Sequence, residues 1–275
     1  MRFTPAHRDF LRAALHEDIG TGDITTDSII SPESKSSASF IAKSGFVLAG
    51  LPIAREVFRL VEPRIKFRSL RADGEHLRRG DVFATVQGST RAILMAERVA
   101  LNILQRLCGI ATLSDQFVRQ VKGTGATILD TRKTTPLMRE MEKYAVRMGG
   151  ATNHRMGLYD MVLIKDNHIK AAGGITEAVR LARAKARRMK IEVECESLCD
   201  VEEAILAGAD IVMLDNMTTN MMRRAVRLTA GRVKLEASGN VSLKNIRAIA
   251  KTGVDYISIG ALTHSAPSAD ISLRF

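Results

Sequence analysis

Two adjacent cations interrupt the first of several short apolar runs in the second half of this sequence. In the segment "ILDTRKTTP", Ile128 and Leu129 are followed closely by Arg132 and Lys133 among three threonines. Such an ending fits either a surface turn before a helix or a pocket for a strongly anionic ligand. Arginine binds carboxylate and phosphate groups through two parallel hydrogen bonds, so a pair of cations favours a multiply charged anion.

Residues able to do chemistry also follow five further apolar runs. The run "MVLI" is followed by Lys165, "IEV" by Glu194 and "IVML" by Asp215. The run "VKLEA" is followed by Ser238, Gly239 and Asn240, and "YISI" by Gly260, Ala261 and His264. Each residue taken singly is explained as a helix cap, and Glu194 also as a solvent-facing residue or a structural partner of Lys165. Their recurrence after every run favours one shared site, with cations first, acids next and small residues last.

The acids and the small residues suit different tasks. Glu194 and Asp215, on neighbouring runs, can hold Mg²⁺, a hard ion that prefers carboxylates, water and substrate phosphates. Bare backbone amides in the turns at Gly239 and Gly260 can bind a phosphate. His264 follows the second of these turns and is a candidate contact to the same phosphate.

A loop between the first two runs adds a further cation and a titratable ring. In "GGATNHRMGLYD", two glycines allow a tight path and are followed by His154 and Arg155, for which we predict a binding role. No Ser-His-Asp or Cys-His arrangement in the sequence indicates a nucleophile. The predicted site therefore suits a sugar phosphate with metal-bound pyrophosphate and a second, acidic substrate, with catalysis supplied by positioning and electrostatics.

Six strands that alternate with helices must position these residues. The β-branched runs lie at 127–130, 161–164, 191–194, 211–214, 233–237 and 256–259. Helices are predicted at 136–148, 176–189, 200–207, 218–229 and 242–251, with left-handed C-caps at Gly149, Gly208, Gly231 and Gly253. The alternation indicates a parallel sheet, and the repeat of roughly 20 residues favours a (β/α) barrel of fewer than eight strands, with its chemistry at the carboxyl ends of the strands. An open doubly wound sheet is the alternative, although no GxGxxG motif follows the first strand.

The first part of the chain has a different pattern. Residues 1–95 alternate short strands with one or two helices and predict an α+β sandwich. A helical stretch over 95–123 bridges the two regions, as one helix or as two that meet near Gly109. We expect an α+β sandwich domain over 1–109, with the C-terminal segment 270–275 packing on it, and an α/β barrel domain over 110–269 that carries the active site.

Composition limits the classes of protein to consider. Of the 275 residues, 45% are hydrophobic and 26% are charged, and no apolar stretch reaches the roughly 20 residues needed to span a bilayer. The N-terminus has no apolar signal core. Three cysteines, Cys108, Cys195 and Cys199, fit a reducing compartment without disulfides, and Cys195 and Cys199 lack the second Cys/His pair of a zinc site. We therefore expect a cytoplasmic protein.

The net charge of +11 makes nucleic acid an alternative partner. Aromatic residues are only 4% of the chain and Trp is absent, whereas single-strand binders interleave aromatic and basic residues. Part of the basic excess lies in "RLARAKARRMK", which is typical of a solvated helix face. We expect no nucleic-acid partner and no membrane partner, and retain a basic nucleic-acid-binding protein as the alternative from a different class.

Seven segments together resemble one enzyme family. They are "GDITT" (22–26), "ERVALNILQRLCGIAT" (97–112), "DTRKTTP" (130–136), "EKYAVRMGGATNHRMGLYDMVLIKDNHI" (142–169), "LDN" (214–216), "EASGN" (236–240) and "IGALTHS" (259–265). Over nearly the whole chain they closely resemble the quinolinate phosphoribosyltransferases, also called carboxylating nicotinate-nucleotide pyrophosphorylases, and the block at 142–169 is highly specific. The sequence departs from many members at Leu137, where they have glycine after "TTP".

The resemblance implies a fold, a reaction and an assembly. The implied subunit has an N-terminal α+β sandwich and an incomplete C-terminal (β/α) barrel of the type II phosphoribosyltransferase kind. The implied assembly is a homodimer, or a higher oligomer of it, in which one subunit's small domain caps the other's barrel. The implied reaction converts quinolinate and phosphoribosyl pyrophosphate into nicotinate mononucleotide, pyrophosphate and CO₂ with Mg²⁺, in NAD biosynthesis. The alternatives are a related phosphoribosyltransferase that uses nicotinate or another acid, and the molybdenum-locus branch.

The resemblance also assigns roles to individual residues. The residues similar to the family's quinolinate dicarboxylate site are Arg132, His154, Arg155 and Lys165. Arg98 resembles an arginine that reaches the same substrate from the partner subunit. The residues similar to the catalytic group around phosphoribosyl pyrophosphate are Lys133, Glu194 and Asp215, of which Glu194 and Asp215 are expected to bind the metal. The expected contacts to the 5′-phosphate and its surroundings are Ser238, Gly239, Asn240, Gly260, Ala261 and His264.

Overall fold

The structure, a computed structural model, describes residues 3–275 of the chain. The helices are α1 (Pro5–Ile19), α2 (Ile24–Ile29), α3 (Leu51–Val61), α4 (Thr90–Val121), α5 (Arg139–Met148), α6 (Asp166–Ala172), α7 (Ile175–Lys185), α8 (Leu198–Leu206), α9 (Thr219–Thr229), α10 (Ile246–Ala250) and α11 (Ala261–His264). The strands are β1 (Lys35–Ala42), β2 (Phe46–Val47), β3 (Lys66–Ser69), β4 (His76–Leu77), β5 (Val82–Ser89), β6 (Thr127–Leu129), β7 (Val162–Ile164), β8 (Ile191–Cys195), β9 (Ile211–Asp215), β10 (Lys234–Ser238), β11 (Tyr256–Ser258) and β12 (Ile271–Arg274). Among the described residues, no helix combines the length and the apolar character needed to cross a membrane.

The described residues form two compact units, each built from more than one chain segment. The first unit comprises the described residues up to Leu113, Thr135–Gly150 and Ala266–Phe275. The second unit comprises Ser114–Thr134 and Ala151–Ser265. The domain bounds expected from the sequence stay a prediction.

An antiparallel sheet in the order β12-β1-β5-β3 forms the frame of the first unit. Burial along β1 alternates towards its carboxyl end, as it does in a strand with one face on a core. On the buried face, Phe40 contacts Phe58 of α3 and Phe83 of β5, with ring centroids 5.9 and 5.8 Å apart. β12 pairs antiparallel with β1, so the C-terminal segment completes the sheet that the first strand begins.

α4 is one continuous helix of 32 residues, which decides between the one helix and the two that the sequence allowed. Gly109 lies in its middle without interrupting it. A β-carbon at Gly109 would overlap the backbone of Pro267 and would lie 3.2 Å from Cα of Ser268. The glycine therefore permits the C-terminal segment to pack directly against the helix, a role that local sequence does not distinguish from a helix break.

Six parallel strands form the sheet of the second unit, in the order β6-β11-β10-β9-β8-β7. The first of these strands along the chain pairs with the last, with Ile128 opposite Ile257 and Leu129 opposite Ser258. The other neighbours follow in chain order, and β6 and β7 form the two edges. A doubly wound sheet would instead reverse its strand order at a switch point. The sheet is an incomplete barrel, and the predicted fold class is confirmed.

Some predicted elements after residue 126 differ in detail. α6 begins at Asp166, where only strand-end residues were expected, and its first turn is closed by a 2.9 Å hydrogen bond from the Lys165 amide to Nδ1 of His168. Gly149 has φ −80°, so the left-handed C-cap predicted there is wrong. The next residue, Gly150, takes that conformation with φ +83°. The predicted helices also start or end up to four residues away from the observed ones, since helix ends depend on contacts beyond the local sequence.

The three cysteines are free thiols in the structure. Cys108 and Cys195 are buried and Cys199 is exposed. Burial raises the pKa of both Cys108 and Cys195, which disfavours the thiolate that a metal site requires.

Candidate active site

The carboxyl ends of the six parallel strands bring together most of the residues that the sequence singled out. In a parallel sheet these ends share one edge. The second unit contains Arg132, Lys133, His154, Arg155, Lys165, Glu194, Asp215, Ser238, Gly239, Asn240, Gly260, Ala261 and His264. Arg98 is different, because it belongs to α4 in the first unit. Its role stays a prediction.

Lys133 and His264 converge on Gly260, although they follow the first and last strands of the sheet. A β-carbon at Gly260 would lie 2.9 Å from Cδ of Lys133 and 3.2 Å from the His264 ring. The backbone of Lys133 is held from the same side, because the buried hydroxyl of Thr263 donates to its carbonyl at 2.8 Å. The closure of the sheet between β6 and β11 therefore brings the Lys133 side chain and the His264 ring against one glycine.

Two guanidinium groups lie near one another on this edge. Burial lowers the pKa of Arg155, and the positive charge of Arg132 lowers it further. Arg155 donates from Nη1 to the carbonyl of Met161 at 3.1 Å. Nε of Arg132 is buried without a hydrogen-bond partner among the described residues. Two neighbouring cations with unused donors have the chemistry that an anion of two or more charges requires.

Lys165 and Glu194 form an ion pair between the ends of β7 and β8. Nζ of Lys165 lies 2.5 Å from Oε2 of Glu194, so the structural pairing considered from the sequence is present. The Lys165 side chain remains 46% exposed and that of Glu194 is 11% exposed. The pair is accessible on its lysine side, and the bond fixes the direction of both side chains.

Asp215 and the turn after β10 are connected through Asn216. Nδ2 of Asn216 donates to Oδ2 of Asp215 at 2.8 Å, and Oδ1 of Asn216 accepts from Nδ2 of Asn240 at 3.0 Å. The backbone of Asn216 is also held in place, because its backbone amide donates to the Ser238 carbonyl at 2.9 Å. The acid of one strand end and the predicted phosphate turn of the next thus form one hydrogen-bonded unit.

Two buried glutamates that the sequence reading missed surround the ring of His154. Nε2 of His154 lies 3.0 Å from Oε2 of Glu192 and 3.4 Å from Oε2 of Glu236. Both glutamates are fully buried in the middle of β8 and β10. The signal in the sequence is a charged residue inside each apolar strand, which the residues that follow the strands do not reveal.

The pKa values of His154 and Glu192 in this cluster are raised above their ordinary values. Burial acts to lower the pKa of His154, but the hydrogen bonds and charges of Glu192 and Glu236 outweigh it and raise the pKa to about 9. Burial raises the pKa of Glu192 to about 7, and the Glu236 charge acts in the same direction. The Arg155 amide donates to Nδ1 of His154 at 2.7 Å, which is the geometry of a neutral ring with its proton on Nε2. The two buried carboxylates outweigh this one amide, because charged partners in a buried site interact more strongly than neutral ones.

A buried aspartate anchors the loop that carries the histidine. Asp130 is fully buried and accepts from Nδ2 of Asn153 at 2.5 Å and from the His154 amide at 2.9 Å. Residue 130 directly follows β6, so these bonds hold the loop against the strand end beside Arg132. The sequence motif assigns no role to Asp130, and the structure makes it a support for the loop that carries His154.

Two sets of residues have the chemistry of metal ligands. His154, Glu192 and Glu236 have ligand atoms within 4.8 Å of one another, but their hydrogen bonds account for that spacing and Arg155 adds a positive charge nearby. Glu194 pairs in register with Met213, so Glu194 and Asp215 lie on the same face of the sheet. One oxygen of each carboxylate accepts the bonds already described, and among the described residues no donor occupies the other. These two hard-oxygen donors fit Mg²⁺.

An incomplete parallel barrel with cations and carboxylates on one edge defines an enzyme of the barrel-type phosphoribosyltransferase class. Residues 110–274 match the family model for the C-terminal domain of quinolinate phosphoribosyl transferase, and residues 23–108 match the model for its N-terminal domain. The chain belongs to the quinolinate phosphoribosyl transferase family.

Named relatives and solved structures agree with this membership. The chain is 48% identical over 258 residues to the probable carboxylating nicotinate-nucleotide pyrophosphorylase of Bacillus subtilis, with 94% of this chain and 89% of that protein covered. The crystal structure of NadC from Streptococcus pyogenes has a TM-score of 0.96 and 43% identity, and covers 100% of this chain and 98% of that one. The nicotinate-nucleotide pyrophosphorylase of Francisella tularensis also has a TM-score of 0.96, at 40% identity, with 100% and 97% covered.

Proposed function

We propose that the protein transfers phosphoribose from phosphoribosyl pyrophosphate to quinolinate and removes one carboxylate, giving nicotinate mononucleotide, pyrophosphate and CO₂. The family supports this reaction, since relatives of this chain carry the names quinolinate phosphoribosyltransferase [decarboxylating] and nicotinate-nucleotide pyrophosphorylase [carboxylating]. The observation that carries the proposal is the pair of neighbouring guanidinium groups, Arg132 and Arg155, with an unpartnered buried Nε on Arg132. Such a pair matches the two adjacent carboxylates of quinolinate.

The acidic substrate binds, in this proposal, between Arg132, Arg155, Lys165 and His154. The arginines supply planar paired donors, and Lys165 supplies a point charge whose direction is fixed by Glu194. The raised pKa of His154 adds a positive ring near neutral pH. A monoacid such as nicotinate would leave part of this positive charge unpaired, so the site favours the diacid.

Phosphoribosyl pyrophosphate binds at the other strand ends. Lys133 and His264 meet at Gly260, where a phosphate would receive an amine, an imidazole and the amides of Gly260 and Ala261. The turn at Ser238, Gly239 and Asn240 supplies further donors. Glu194 and Asp215 would hold Mg²⁺, which when bound neutralises pyrophosphate charge and polarises its oxygens.

The residues of the chain perform the reaction by placing charges. In this proposal Lys133 stabilises the charge that develops on the pyrophosphate as its bond to C1 of the ribose breaks. Glu194 and Asp215 put negative charge near the resulting oxocarbenium-like centre, and the bound quinolinate nitrogen forms the new bond to C1. The electron pair of the C2–carboxylate bond then passes into the cationic ring, CO₂ leaves, and a solvent proton takes its place. Arg132 and Arg155 hold the ring in the orientation that this requires.

We further propose a cytoplasmic homodimer in which Arg98 completes the substrate site of the partner subunit. Family resemblance supports the dimer, and three free thiols fit a reducing compartment. Mixing Arg98→Ala and Lys133→Ala subunits, each inactive alone, should restore part of the activity, because one of the two sites in a mixed dimer is then intact. Mixed dimers that stay inactive would contradict a shared site.

The deciding experiment is a CO₂-release assay with quinolinate, phosphoribosyl pyrophosphate and Mg²⁺. We expect CO₂ from quinolinate, nicotinate mononucleotide as product, and no turnover with nicotinate. Turnover of nicotinate instead would support the related transferase. A nucleic-acid-binding protein would show no turnover and a gel shift that weakens steeply with salt.

A further inference from the structure

Asn216 occupies a position between two parts of the site and has no role in the function proposed above. Its side-chain amide donates to Oδ2 of Asp215 at 2.8 Å and accepts from Nδ2 of Asn240 at 3.0 Å. Its backbone amide donates to the carbonyl of Ser238 at 2.9 Å. The residue therefore contacts the predicted metal ligand on β9 and both ends of the predicted phosphate turn after β10.

The backbone around Asn216 is held in conformations that most residues avoid. Asn216 has φ +53° and Asn240 has φ +51°, while Gly239 has φ +90°. Left-handed conformations are unfavourable for residues with a β-carbon, and asparagine tolerates them better than most. Strain kept at two adjacent strand ends indicates that the surrounding contacts require it.

Gly239 makes room for the Asn216 side chain. A β-carbon on Gly239 would overlap Oδ1 of Asn216 and would lie 3.0 Å from its backbone nitrogen. The amide of Asn216 therefore lies directly against the turn and has little freedom to move. Its orientation is also defined, because exchanging its oxygen and nitrogen would place Oδ1 against the Asp215 carboxylate and lose both hydrogen bonds.

The two carboxylate oxygens of Asp215 therefore have different surroundings. Oδ2 is occupied by Asn216, and no other donor among the described residues reaches either oxygen of Asp215. Asn216 thus fixes the rotation of the carboxylate and presents Oδ1 in one direction. Because the same amide holds Asn240, that direction is tied to the position of the turn.

We infer that Asn216 is a positioning residue that sets the spacing between the Asp215 carboxylate and the turn at 238–240, and so matches the site to the length of phosphoribosyl pyrophosphate. The inference rests on the proposed function, since it assigns the two ends of that substrate to these two elements. It predicts that loss of the amide weakens phosphoribosyl pyrophosphate more than quinolinate.

The test compares Asn216→Gly and Asn216→Asp with the wild-type protein. Glycine keeps the left-handed backbone and removes only the side chain, so the fold and melting temperature should change little. Losing a hydrogen bond to a charged group should raise the KM for phosphoribosyl pyrophosphate about tenfold, with the KM for quinolinate within about twofold. Asn216→Asp should be worse than glycine, because a carboxylate then faces Asp215. Calorimetric titration of each protein with phosphoribosyl pyrophosphate, in the presence of Mg²⁺ and without quinolinate, compares the binding affinities in the absence of turnover.

Asn245→Ala is the matched control. Asn245 braces the same turn by donating to the Asn240 carbonyl at 2.9 Å but does not contact Asp215. The Asn245→Ala substitution should lower the melting temperature while leaving the KM for phosphoribosyl pyrophosphate within about threefold of the wild-type value. Equal effects of Asn216→Gly on both substrates, no effect on either, or a fully active Asn216→Asp would overturn the inference. A wild-type protein that releases no CO₂ from quinolinate would overturn the proposed function, and this inference with it.

Discussion

Gly260 lies so close to Lys133 that a single added methyl group would reach the lysine side chain. The β-carbon would be 2.9 Å from Cδ of Lys133 and 3.2 Å from the ring of His264. Since Gly260 has φ −65°, alanine fits its backbone without strain. Gly260→Ala should therefore leave the melting temperature nearly unchanged while lowering kcat/KM for phosphoribosyl pyrophosphate about tenfold or more, through displacement of the amine.

The control for this change is Gly45→Ala. A β-carbon there would make an ordinary 3.5 Å contact with the Leu77 carbonyl, and φ lies outside the left-handed region. Its activity and stability should match the wild type. If Gly260→Ala also behaves as wild type, Lys133 and His264 do not act together at this point.

Removing the Lys133 amine tests its place in the chemistry. Lys133→Ala should lower turnover on the order of 100-fold or more, because one preorganised charge at the leaving group is lost. Quinolinate affinity should change far less, and Lys244→Ala, an exposed lysine of the same unit, should change neither. Steady-state kinetics with both substrates separates the two effects. Near-normal turnover in Lys133→Ala would exclude the amine from catalysis.

The histidine cluster makes stability depend on pH in a defined direction. His154 has a pKa of about 9 in the folded chain, raised from 6.5, so it binds its proton more tightly when folded. This contribution is complete below pH 6.5 and is lost as the pH rises through 9. The raised pKa of Glu192, about 7, acts in the same direction at lower pH. Urea unfolding should therefore show the free energy of unfolding falling between pH 6.5 and 9, and His154→Gln should flatten that fall.

Titration of the His154 ring by NMR separates the contributions within this cluster. Glu236→Gln removes a charge 3.4 Å from Nε2 with little change in shape, and should lower the measured pKa of His154. A wild-type midpoint at or below 6.5 would mean that the Arg155 amide keeps the ring neutral and that the carboxylates do not dominate.

A buried carboxylate in the first unit is paired with one arginine and also accepts two hydrogen bonds from Thr135. Glu142 is fully buried, and Arg106 donates to its Oε1 from Nε and Nη2 at 3.2 and 3.0 Å. Arg106→Ala leaves that charge without its cation, which typically costs about 3–5 kcal/mol of folding free energy. Arg12→Ala breaks an exposed pair with Asp9 and should cost less than about 1 kcal/mol. Chemical denaturation measures the free energy of unfolding of both variants. Equal losses in Arg106→Ala and Arg12→Ala would show that leaving Glu142 without its cation carries no such cost.

Much of the second unit follows from local pattern. Short β-branched runs bounded by turn residues predicted all six strands, because such runs must be buried between layers of helices. The observed strands end at or close to the residues that follow each run, while the roles of those residues stay a prediction. Strand order was not accessible in this way, since the pairing of Ile128 with Ile257 joins residues that are far apart in sequence.

The supporting residues were harder to predict because their roles depend on three-dimensional neighbours. Glu192 and Glu236 are charged residues inside apolar strands, and only the structure shows that both surround His154. Leu137, which replaces the glycine expected from the resemblance, has φ +65°, a conformation glycine adopts freely and leucine does not. Arg98 lies in the other unit, and its role in the partner's site stays a prediction.

The pairing of β12 with β1 means that the first unit can be completed only after the second unit has been synthesised. Its opening strand emerges from the ribosome early, but the partner that covers one of its edges consists of residues 271–274. Until residues 271–274 have been synthesised, that edge stays open to other strands, a common origin of aggregation. Removing residues 271–275, or fusing a bulky tag directly after Phe275, is therefore expected to reduce soluble yield more than the same tag fused before residue 1.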